Sequence, residues 1–114
     1  MIIKLRVIHK TWEARLLVHK KYKKKYGTDS CAITEMDKRR ILFSNKFIDL
    51  ETIVHELTHA YLHELCIARA DIDATALEEV YCELMAKFGN TLLRQAKRVF
   101  KQLKQYEVPY EDKP

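Results

Sequence analysis

Two glycines and two prolines in 114 residues leave this chain few places to turn sharply. Tight turns lean on the positive φ that glycine tolerates, so the shortage argues against an all-β sandwich and predicts long helices. The length suits one domain and is too short for two. A chain of this size buries roughly two-thirds of the surface its unfolded form exposes, enough for a single core. Apolar residues make up 47% and charged residues 32%, which excludes a disordered chain. No apolar run approaches the roughly 20 residues of a membrane span, so no membrane partner is expected. Cys31, Cys66 and Cys82 are odd in number and form no C-x-x-C pair. Together with the lack of an apolar leader at the N-terminus, this predicts free thiols and a cytoplasmic protein.

Residues 2–8 alternate, with Ile3, Leu5 and Val7 on one face and Lys4 and Arg6 on the other, which predicts a strand. From 11 to 26 the pattern reads as a helix that puts Trp12, Leu16 and Tyr22 on one side and ends in lysines, with Gly27 as its stop. Residues 31–34 and 40–44 read as two short strands joined by a hairpin at 35–39. A helix is expected from Asp49 or Glu51 to about Cys66. After a polar break at 71–73, a long one is expected over 74–106, bent at Gly89-Asn90. The resulting order, β-α-β-β-α-α, is an α+β domain covering 1–114, with its core at about 28–90 and a frayed tail at 107–114.

The net charge of +5 is unevenly spread. Residues 1–25 hold nine basic residues and one acid, 51–90 hold two basic residues and eight acids, and 91–105 hold five basic residues and no acid. Solvated helix faces are the first meaning of such a pattern, and an anionic partner such as nucleic acid is the second.

His55-Glu56-Leu57-Thr58-His59 is an H-E-x-x-H segment inside the second helical pattern. Residues four apart on a helix project from one side, so both imidazoles can reach one ion. Zinc takes neutral imidazole nitrogens at about 2.0–2.1 Å. Glu56 flanks such an ion without binding it and suits a general base that takes a proton from water and delivers it to a leaving amine. Ile53, Val54, Leu57, Ala60, Tyr61 and Leu65 form one arc of this helix, and His55, His59 and His63 lie on the opposite side.

Two histidines make a weak site, and a catalytic zinc needs a third protein donor. No histidine follows His63, which lies two turns from His55, too far to share an ion along a straight helix. Glu78, Glu79 and Glu83 are the remaining candidates. Glu79 and Glu83 share a helix face one turn apart, and Glu78 sits nearer the apolar face. Tyr61 and Tyr81 read as core, Cys66 and Cys82 as small buried side chains, and His9 and His19 as exposed. Tyr22, Tyr26 and Tyr106 are open candidates for an oxyanion donor.

His55-Glu-Leu-Thr-His-Ala-Tyr-Leu-His63 resembles the H-E-L-G-H-A-L-L-H helix of the ImmA/IrrE-like metallopeptidases of phages and mobile elements. Glu79-Val-Tyr-Cys-Glu83-Leu-Met-Ala is similar to the glutamate motif on the second helix of that clan, and to the E-x-x-x-D pattern of thermolysin-type enzymes. The resemblance covers about 28–90. It implies a small zincin-like domain in which a short antiparallel sheet packs on the active-site helix and the long C-terminal helix. It further implies that Glu79 is the third zinc ligand and Glu83 steadies a ligand histidine from behind. Residues 40–44 resemble the edge strand that aligns substrate in these folds. Thr58 stands where the family often has glycine. The SprT/Spartan helix is also similar, but that family takes a third histidine downstream, which this chain lacks.

The sequence therefore leads to a zinc-dependent metallo-endopeptidase. His55, His59 and Glu79 are the expected metal ligands and Glu56 the catalytic base. A peptide or protein is the substrate, and the resemblance implies a regulatory or repressor protein. The rival reading is a basic, nucleic-acid-associated or regulatory module with a structural or vestigial metal site, motivated by the lysine run and by Arg94, Lys97, Arg98, Lys101 and Lys104.

Overall fold

The computed structural model describes residues 1–26, 32–66 and 73–108. Ile3, Leu5 and Val7 alternate inward along β1 (Ile2–Val7), as the period of two requires. Ile8 and His9 then turn the chain into β2 (Lys10–Leu17), which pairs antiparallel with β1 so that Leu5 faces Trp12. Ile8 has φ +60°, a left-handed conformation at the first position of a two-residue turn, where glycine is the usual choice. A short helix, α1 (His19–Tyr26), leads to β3 (Ala32–Glu35) and β4 (Arg40–Ser44). These two strands form a hairpin whose turn ends at Arg39, φ +50°.

The helix expected over 11–26 is thus a strand followed by a shorter helix. Trp12 and Leu16, four apart, satisfy either period, but Ala14 between them is buried and Glu13 and Arg15 are not, which is strand alternation. With β2 present, the sheet has four strands in the order β1-β2-β4-β3. The short antiparallel sheet expected from the sequence is therefore mixed: β2 and β4 run parallel, Ala14 opposite Ile41, and α1 lies within the crossover that parallel pairing needs. β4, expected at the edge, lies inside the sheet, and β3 is the edge strand.

Two helices complete the α+β fold: α2 (Leu50–Cys66) and α3 (Ala74–Lys104). Asp49 opens α2 by accepting from the Thr52 backbone N–H at 2.7 Å, and Asp73 caps α3 by accepting from Ala76 N–H at 2.7 Å. α2 packs on α3 and against β3 and β1. The core beneath joins Trp12, Ile41 and Phe43 of the sheet to Ile53, Leu57 and Tyr61 of α2 and Leu84, Val99 and Leu103 of α3. α3 runs unbroken through Gly89 and Asn90. Beyond it, Glu107 accepts from Ile48 N–H at 2.9 Å and Val108 N–H donates to the Asn45 carbonyl at 2.7 Å, so the chain is tied down to Val108. Gly27, Cys31, the polar break at 71–72 and residues 109–114 lie outside the described residues. Among the described residues, no helix is long and apolar enough to cross a membrane.

Candidate metal centre

The apolar arc of α2 pins that helix, with Ile53, Leu57, Ala60 and Tyr61 buried. Its opposite side carries His55 and His59, both exposed. Their Nε2 atoms approach to 3.2 Å and their rings lie edge-on, centroids 4.8 Å apart at 78°. Two nitrogens bound tetrahedrally at zinc–nitrogen distances would lie roughly 3.3 Å apart, so this pair suits one ion. A hydrogen-bonded pair of neutral imidazoles has similar spacing, and there one ring nitrogen donates to the other.

Glu56 is only 8% exposed, on the flank of the helix that faces β3. Burial of a carboxylate demands a partner, and Thr34 of β3 supplies one: its Oγ1–H donates to Glu56 Oε2 at 2.7 Å. Thr34, Ile33 and Met36 line a cleft of about 240 Å³ together with Glu56 and His59. A second hollow, about 260 Å³, is lined by His55, Thr58, His59, Leu62 and Tyr81. His59 borders both, so the pair stands between the β3 edge and the start of α3.

The remaining candidates lie elsewhere. His63 turns its ring edge-on to Trp12, centroids 6.1 Å apart. Next to it, Glu64 accepts from Trp12 Nε1–H at 2.7 Å and Arg39 Nε–H at 2.8 Å. Burial pushes the Glu64 carboxyl up, but these two donors outweigh it and hold the group below the usual range. On α3, Glu78 and Glu79 are both exposed, and Glu83 pairs with Lys87 at 3.1 Å. Among the described residues, no three His, Cys, Asp or Glu side chains converge as a metal-holding group. The histidine pair therefore supplies two donors, and the third is not assembled with them. Helical register separates Glu78 from Glu79. Glu78 lies three residues before Tyr81, about 60° away around the helix, whereas Glu79 lies two before it, about 160° away.

Several residues read from the sequence take other positions. Tyr61 is the exception and lies in the core as expected, its hydroxyl donating to Gln95 Oε1 at 2.5 Å, and burial raises its pKa. Tyr81 is 43% exposed and faces the histidine hollow. It was expected in the core because its spacing matches Leu77 and Leu84, and helix period alone does not tell where a packed face ends. Cys82 is exposed and Cys66 half-buried, both free thiols. His19 is half-buried, its Nδ1 2.7 Å from Ser44 Oγ, and burial followed by Lys46 and Lys23 lowers its pKa. Thr34 had no signal in the sequence, since its partner Glu56 is 22 residues away. Comparison with protein-family models, with curated proteins and with solved structures gives no match.

Proposed function

We propose that this chain is a small zinc-dependent peptidase in which His55 and His59 hold the ion and Glu56 manages the proton. The observation that carries the reading is the 3.2 Å approach of the two Nε2 atoms beside a buried, hydrogen-bonded Glu56. A bound zinc supplies Lewis acidity toward water and a peptide carbonyl. A third donor would have to come from a carboxylate of the first turns of α3: Glu79 is the one the family resemblance implies, and Glu78 is the one the register turns toward Tyr81.

Glu56 uses one oxygen to accept from Thr34 and keeps the other for the chemistry. That hydrogen bond orients the carboxylate, which takes a proton from the attacking water and passes it to the departing amide nitrogen. β3 is the last strand on its side of the sheet, so an extended peptide can add along it and lie over Glu56 and His59. Tyr81, which lines the histidine hollow, would donate to the carbonyl oxygen as negative charge develops there. A regulatory protein is the substrate class the resemblance favours.

The test is Glu56→Gln, assayed on a fluorogenic peptide mixture with zinc content measured alongside. Cleavage should fall by roughly 10²-fold or more while zinc is retained. Unchanged turnover in that variant refutes the proposed role of Glu56.

A further inference from the structure

At the sheet edge opposite β3, α3 crosses beside β1 and leaves a groove of about 450 Å³ lined by Lys4, Arg6, Thr91, Arg94, Gln95 and Arg98. Its walls are tied together from side chain to backbone: Gln95 Nε2–H donates to the Arg6 carbonyl at 2.7 Å and Arg98 Nη2–H to the Lys4 carbonyl at 3.0 Å. All four cationic side chains are exposed, and none makes an ion pair among the described residues. The acid facing Lys4 across the strand pair, Glu13, is held by Arg15 at 2.7 Å. Residues 91–105 contain no acid at all.

From this we propose that the groove binds the phosphate backbone of duplex nucleic acid. The cations form two rows and not one cup. Lys4 and Arg6 lie two residues apart, roughly 6.6 Å along a strand. Arg94 and Arg98 lie one turn apart, about 6 Å along the helix, and exposed Lys101 extends the row. Regularly spaced cations suit a polymer of regularly spaced anions better than a single small ion. No aromatic side chain lines the groove, so there is no platform for unstacked bases, and recognition goes through phosphates. Arginine forks bind phosphate oxygens in pairs, and Thr91 adds a hydroxyl donor.

The experiment is fluorescence anisotropy of the full chain with a labelled 20-base-pair duplex between 50 and 200 mM salt. Four phosphate contacts give a slope of log affinity against log salt of roughly −3.6. Removing two contacts with R94A/R98A should weaken binding at least tenfold and reduce the slope by about 1.8. K4A/R6A should do the same while leaving both backbone carbonyl contacts intact, which guards against a folding defect in the first variant. K23A/K24A removes the same charge from exposed α1 positions and should change affinity less than threefold. Equal losses in all three variants would mean bulk charge and not a groove, and would overturn the proposal. So would a poly-glutamate peptide that binds as tightly as the duplex, or a single strand that binds tighter. None of the groove residues borders the histidine cleft, so Glu56→Gln should leave duplex affinity unchanged whatever becomes of the peptidase reading.

Discussion

Glu64 shows how much a single side chain can join. It lies on α2, yet its Oε2 receives Trp12 from β2 and Arg39 from the β3–β4 turn. Because the donors depress its pKa in the fold, the stabilisation is present above the ordinary carboxylate range of the unfolded chain and is lost as pH falls through the lower value of the folded one. Glu64→Gln should therefore cost about 1–3 kcal/mol at pH 7 and make the acid side of the stability profile shallower. Urea melts followed by the fluorescence of Trp12, the single tryptophan, give both quantities, and an unchanged midpoint at pH 7 would contradict the role. At this scale the sequence is legible only where partners are near in the chain. His55 and His59 are four apart, and their convergence could be read directly. Thr34 and Glu56, or Trp12 and Glu64, meet only because the sheet brings them together.

Among the elements, α2 and α3 were legible almost to their ends, because Asp49 and Asp73 are true caps and the apolar arcs are continuous. β2 was not legible, since Trp12 and Leu16 fit both periods and only pairing with β1 and β4 decides between them. The interior place of β4 was equally hidden, because strand order depends on a parallel pairing that no local pattern encodes. Gly89 offers a test of α3 as an uninterrupted helix. A Cβ there would meet only Met85 Cε at 3.6 Å, an ordinary contact. Gly89→Ala should raise stability by about 0.5–1 kcal/mol in a thermal melt, and a loss of that size would show the position is bent or crowded. The start of α3 also carries the question of the third metal donor. If helical register governs, Glu78→Ala lowers zinc affinity more than Glu79→Ala; if the resemblance governs, the order reverses. Competition with a zinc-sensitive dye resolves the two, and equal affinities in both variants and the unaltered chain would remove Glu78 and Glu79 from the site.

For the molecule as a whole, the four-stranded sheet separates the two proposed sites. β3 flanks Glu56 and the histidine pair, whereas β1 flanks the arginines of α3. The uneven charge along the chain foreshadowed this division: the acidic stretch 51–90 contains the histidine helix, and the basic stretches 1–25 and 91–105 meet in the groove. Composition could show the blocks but not that Lys4 and Arg98 become neighbours, 94 residues apart. Zinc held by His55 and His59 is the claim on which the peptidase reading depends. It is tested most directly by calorimetric titration of the metal-free chain with zinc, beside the His55→Ala, His59→Ala double variant. The unaltered chain should take up about one zinc per molecule and the double variant none. Stoichiometric zinc in the double variant, or none in the unaltered chain, would contradict the assignment.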